Sequence, residues 1–141
     1  MKRILAFDVG DRRIGVAVSD ALGITAQGVE TYTRTGDDEK DFAHFIELAK
    51  KYEPVKLLFG LPKNMDGTEG HQAQSVRDFA QKLIDVTGYE YDFYDERLTT
   101  VSAHQALLDG NISRKKHKGV VDKIAAVLIL QGYMESHGGI L

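Results

Sequence analysis

The sequence predicts an α/β fold: a mixed five-stranded sheet with helices on both faces. Three observations carry this. Residues 3–33 hold three strand-like apolar or alternating runs joined by short turns. Helical spacing then takes over at Phe42, Phe45, Ile46 and Ala49. After that, short apolar runs alternate with helical segments, which is the pattern of parallel strands joined by crossovers.

Residues 3–9 read as a buried strand, continuous and apolar through Ile4, Leu5, Ala6 and Phe7. Asp8-Val9-Gly10-Asp11-Arg12-Arg13 turns the chain, and residues 14–19 alternate as a second strand. Gly23 breaks it, and residues 24–33, rich in threonine and aromatics, give a third. Asp37-Asp38-Glu39 starts a helix at the positive end of its dipole, and Pro54 stops it. Residues 55–60 form a short buried strand. Residues 61–70 form a loop marked by Pro62, Gly67 and Gly70. A helix over 72–86 puts Ala73, Val76, Phe79, Ala80 and Leu83 on one face, and Gly88 caps it. The fifth strand covers 89–94, and a short helix covers 99–109. A basic loop spans 111–118. The last helix, 120–137, is apolar on nearly every side and is expected to be buried. The order is β-β-β-α-β-α-β-α-α. Strands one, four and five are expected to be parallel neighbours, with two and three antiparallel on the other side of strand one.

Composition narrows the function classes. The 141 residues suit one domain, 1–141, with no repeat or linker. The absence of cysteine excludes a disulfide scaffold, a thiolate zinc site and a cysteine nucleophile. A net charge of −3 argues against binding polyanions with the whole surface but leaves room for a local basic patch. The apolar run after Met1-Lys2-Arg3 stops at Asp8, too short for a signal-peptide core. The longest apolar run, 124–130, is far below a membrane span. A soluble, cytoplasmic protein without a membrane partner is expected.

Ligands in open α/β sheets bind beyond the carboxyl ends of the strands. Strand one ends at Asp8, strand four at Gly60-Leu61-Pro62, and strand five at Asp95-Glu96-Arg97. Asp122 opens the last helix between Val121 and Ile124. Three carboxylates and no thiol describe a hard-cation site for Mg²⁺ or Mn²⁺. Two such ions about 3.5–4 Å apart can activate a water and stabilise the leaving oxygen in phosphodiester hydrolysis. Each residue also has a plainer reading. Asp8 could cap its own turn. Glu96 could pair with Arg97 or Arg13. Asp122 could serve the helix dipole, although a carboxylate on an apolar helix start is costly without a partner.

The loop GLPKNMDGTEG is either a solvated connection or a substrate loop. In the second case Gly60 permits close backbone approach, while Lys63, Asn64 and Thr68 touch phosphate or sugar oxygens. It lacks the Gly-Lys-Ser/Thr that closes a Walker loop. Arg114, Lys115, Lys116 and Lys118 form a cationic stretch without an acid, either a solvated face or a clamp on a nucleic-acid backbone. Arg12 and Arg13 could do the same beside Asp8. Tyr91, Phe93 and Tyr94 suit a core strand better than a base-stacking platform. No two histidines form a ligand pair at helical spacing. Only His117, inside the basic stretch, is a candidate for proton transfer or phosphate binding.

AFDVGDRRIGVAVSD at 6–20, GLPKNMDGTEG at 60–70, YDERLTT at 94–100 and VDKIAAVLILQGY at 121–133 closely resemble the YqgF/RuvX family. These bacterial proteins are described as Holliday-junction resolvases or as nucleases maturing the 5′ end of small-subunit ribosomal RNA precursor. The resemblance runs collinearly along nearly the whole chain. It implies a ribonuclease H-like fold, with Asp8, Glu96 and Asp122 at the family's acidic metal-binding positions. The leading expectation is a divalent-metal-dependent nuclease that processes pre-16S rRNA in ribosome biogenesis. Lys63, Asn64, Arg97 and the 114–118 cluster would position its backbone. A resolvase of DNA four-way junctions needs two symmetric cuts and hence a homodimer, whereas an RNA nuclease can act as a monomer. A non-catalytic RNA-binding or ribosome-assembly factor is the third reading. A sugar-kinase or actin-like ATPase also opens on an Asp-x-Gly turn, but this chain is too short for the second lobe.

Overall fold

The strands appear where apolar or alternating residues meet turn formers. They are β1 (Ile4–Val9), β2 (Arg13–Ser19), β3 (Ala26–Thr33), β4 (Lys56–Leu61) and β5 (Glu90–Asp95). The helices are α1 (Asp38–Tyr52), α2 (His71–Thr87) and α3 (Arg114–Ser136), with a 3-10 turn at Glu96–Leu98. The structure is a computed structural model. It describes residues 3–98 and 114–137, with side chains for all of these but 98 and 114–122. The short helix expected over 99–109 lies outside the described residues.

The sheet order is β3-β2-β1-β4-β5. β1 runs antiparallel to β2 and parallel to β4, while β4 runs parallel to β5. The predicted topology therefore holds, and it places β1 in the middle. Alternation along β1 sends Leu5 and Phe7 to one face and Ile4 and Ala6 to the other. On the first face Phe7 stacks on Phe59 with ring centroids 5.2 Å apart and meets Phe45 edge-on at 5.5 Å. α1 and α2 close this core with Phe45, Ala73, Val76, Phe79, Ala80 and Leu83. On the second face, Ala126, Ile129, Leu130, Tyr133 and Met134 of α3 cover Ile4, Ala6, Ala17 and Leu58.

Three expectations need correction. β3 begins at Ala26 rather than residue 24, because residues 20–25 form a turn. Asp20 Oδ1 accepts the Ile24 amide at 2.7 Å, Gly23 sits at φ 71°, and Ile24 is left exposed. The basic stretch is not a loop: α3 starts at Arg114, so Arg114, Lys115, Lys116, His117 and Lys118 occupy its first turns. A lysine-rich segment has good helix propensity once it is continuous with a packed helix. Nor is α3 buried all round, since Val127 and Leu128 are only half-buried. The part of the helix pressed on the sheet is the face that carries Ala126, Ile129, Leu130, Tyr133 and Met134.

Asp37, not a residue of the first helical turn, caps α1: its side chain accepts the Glu39 amide at 3.0 Å. Asp37→Ala is expected to cost about 1 kcal/mol of unfolding free energy, measurable by urea titration.

Candidate active site

Asp8 lies on the central strand just after the last β1–β4 pair, Phe7 with Phe59. By alternation its side chain shares the α3 face with Ile4 and Ala6. On the neighbouring strands Gly60 pairs with Tyr94 and Leu61 with Asp95, and Glu96 follows immediately. The ends of β1 and β5 thus straddle β4, and the carboxyl groups of Asp8 and Glu96 meet in a hydrogen bond. Gly60 makes room for this. A Cβ there would stand 2.6 Å from Glu96 Oε1 and closer still to Ile129 Cδ1. The glycine therefore admits Glu96 and α3, not a substrate backbone as the loop reading suggested.

Burial pushes the Glu96 carboxyl up to about 10, and the hydrogen bond and charge of Asp8 act in the same direction, as does the charge of Asp95. Two carboxyl groups forced together in a partly buried place resist joint ionisation. They can share a proton or share a cation.

Arg97 is engaged by the neighbour of Glu96. Asp95 takes that arginine, accepting from Nε at 2.9 Å and from Nη2 at 2.6 Å. These bonds hold the Asp95 carboxyl below its ordinary value. Arg97 also reaches back with Nη1 to the carbonyls of Asn64 (3.5 Å) and Met65 (3.4 Å). It is thereby a brace between β5 and the 61–70 loop. The Asn64 side-chain amide donates to Thr68 Oγ1 at 3.0 Å, so it serves the loop's own turn. The Lys63 charge lies near Asp95 and Glu69.

A chain of depressions follows the same edge. One of about 220 Å³ is lined by Pro62, Lys63, Asn64 and the start of α2. A smaller one, of about 60 Å³, lies between Gly10, Arg34, Gln72 and Ser75. It leads to an open hollow of about 540 Å³ lined by Asp11, Arg12, Arg34 and Asp38. Arg13, the first residue of β2, closes the tight turn by accepting the Gly10 amide on its carbonyl at 2.9 Å. Arg34 is a lining residue that the sequence did not expose: a lone arginine in Thr-Arg-Thr-Gly carries no spacing signal.

Among the described residues no group of three metal-ligating side chains comes together. They supply a pair. Asp122 lies on α3 seven residues before Ile129, and its side chain is outside the described part, as are those of Arg114, Lys115, Lys116, His117 and Lys118.

Comparison with known proteins gives this geometry a context. A family model described as "RuvX: Holliday junction resolvase" matches residues 2–136. A relative from Clostridium tetani is 50% identical over 134 residues, covering 95% of this chain and 96% of its own. One from Clostridioides difficile is 48% identical over 133 residues, covering 94% of each. Both bear the name "Putative pre-16S rRNA nuclease". Among solved structures, RuvC of T. thermophilus in complex with Holliday junction substrate is similar, with a TM-score of 0.63 and 13% identity over 99% of each chain. That likeness confirms the ribonuclease H-like fold. Fold and relatives together define the class, a hydrolytic nuclease. Within it, the chain belongs to the RuvX family.

Proposed function

We propose that this protein is a divalent-metal-dependent nuclease that processes the 5′ end of pre-16S rRNA, with Asp8, Glu96 and Asp122 as its catalytic and metal-binding residues. The observation that carries the reading is the contact of Asp8 with Glu96 at the carboxyl edge of the sheet. The donor set fits a hard cation: carboxylate oxygens alone, pressed together, with a proton held where positive charge is favoured. Mg²⁺ or Mn²⁺ bound there would lower the pKa of a water and neutralise charge on the leaving oxygen.

The chain's own residues would do the rest. Asp8 and Glu96 fix the site on the sheet, and Asp122 adds a third carboxylate from α3. Lys63 and Arg12 line hollows at the same edge of the sheet and would hold backbone phosphates. Arg13, Asn64, Arg97 and the cations Arg114, Lys115, Lys116 and Lys118 would position the strand, with Arg97 and Asn64 acting through the loop they brace. The cytoplasm, where ribosomal precursors are made, is the expected location, and no described helix is long and apolar enough to cross a membrane.

The test is purified protein with end-labelled pre-16S RNA and Mg²⁺ or Mn²⁺. Cleavage near the mature 5′ end, abolished by EDTA, is expected. Tight RNA binding without cleavage under either ion would instead make the protein an assembly factor. The family model's description favours a four-way DNA junction as the second substrate to try. Symmetric cutting of that junction by a homodimer in sedimentation would place the protein with resolvases.

A further inference from the structure

Met65 sits at the tip of the 61–70 loop with 94% of its surface exposed. Leu22 and Ile24, the next most exposed large apolar residues described, lie in the β2–β3 turn at the opposite end of the sheet. Met65 is thus alone among the described residues in offering a large apolar side chain at the carboxyl edge.

The loop that presents it is held firmly. The Asn64 amide donates to the Thr68 carbonyl at 2.8 Å and the Gly67 amide to the Asn64 carbonyl at 2.9 Å. Gly67, at φ 89°, allows the sharp return. Thr68 donates through its amide (3.0 Å) and hydroxyl (2.6 Å) to Asp66 Oδ1. Arg97 Nη1 grips the Met65 carbonyl at 3.4 Å while Nη2 holds Asp95. A free side chain on a fixed backbone, tied to the residue next to Glu96, has a defined position relative to the carboxylate pair.

From this we infer that Met65 is an apolar wedge, which enters a base step of structured nucleic acid and unstacks it to set the phosphate presented to Asp8 and Glu96. The inference rests on the nuclease reading and adds what that reading lacks, a device for choosing where to cut. A thioether is soft and flexible enough to lie against any base face, and apolar side chains inserted between base steps kink helices elsewhere. Lys63, two residues away, supplies phosphate attraction beside the wedge. The substrate class is therefore a helix with a weak step, such as a bulge, junction or helix end, rather than uniform duplex.

The experiment uses an RNA hairpin with an internal bulge and 2-aminopurine at the bulge, bound in Ca²⁺ so that unstacking is read apart from cleavage. Wild-type protein is expected to raise the emission. Met65→Ala binds the hairpin yet loses most of that rise, and in Mg²⁺ it cleaves the bulge about ten-fold more slowly. Met65→Phe restores both, and a fully single-stranded substrate is cut equally by all three. If Met65→Ala matches wild type in emission and rate, the wedge is wrong and the nuclease reading stands; an exposed methionine reserved for a protein partner gives that result. If wild type neither binds nor cuts any of these RNAs, both readings fail.

Discussion

Asp8→Asn is expected to lower the single-turnover cleavage rate of pre-16S RNA by about 10³-fold or more. A cation stabilising charge in the transition state is worth several kcal/mol, and each 1.4 kcal/mol is about a factor of ten. Asparagine is almost isosteric with aspartate, so β1 and its core are undisturbed. What disappears is the carboxylate that hydrogen-bonds Glu96 and would hold the cation. Cleavage undiminished in Asp8→Asn would remove the proposed centre altogether.

The same pair fixes a pH dependence. The folded state raises Glu96 from its ordinary 4.5 to about 10, so it holds a proton that the unfolded chain releases. That stabilisation is fully present below about pH 4.5 and is lost as pH rises toward 10. In EDTA, Tm should therefore fall between pH 5 and pH 9 (about the span of an ordinary buffer series), and Glu96→Gln should flatten the slope. Saturating Mg²⁺ should flatten it too, because the cation takes the proton's place. A slope unchanged by Glu96→Gln would show that the two carboxyl groups do not share a proton.

Much of this arrangement was legible in the residues. Order and direction of the strands followed from two periods, two for strands and 3.6 for helices, and from the handedness of crossovers. Asp8 and Glu96 were legible because each stands at the end of a strand-like run, and parallel strands deliver their ends to one edge. What the sequence hid was side-chain competition. Asp95 and Glu96 are adjacent acids, and only strand alternation and the 3-10 turn decide that Asp95 takes Arg97 while Glu96 turns toward Asp8. The start of α3 was hidden for a similar reason. A run of lysines reads as a solvated loop until the apolar face beyond it, Ala126, Ile129 and Leu130, docks on the sheet and carries the helix back through them. The role of Gly60 was invisible, since its meaning lies in two residues, 36 and 69 positions later in the chain, that need the space its side chain would fill.

Gly60→Ala is accordingly expected to damage the enzyme more than one added methyl usually does. Its Cβ would lie 2.6 Å from Glu96 Oε1 and 2.9 Å from Glu96 Cγ, with Ile129 Cδ1 nearer still. Neither neighbour can yield freely. Ile129 is fully buried, and Glu96 is already against Asp8. Overpacking of this kind costs about 1–3 kcal/mol of stability. A shift of Glu96 by about 1 Å costs about 10²-fold in rate. Ile129→Val deletes Cδ1, so adding it to Gly60→Ala should return part of the lost Tm. The rate should stay low, because the carboxylate is still displaced. Wild-type Tm and rate in Gly60→Ala alone would mean that α3 and Glu96 do not close on β4 as described, and the carboxylate pair would lose its support.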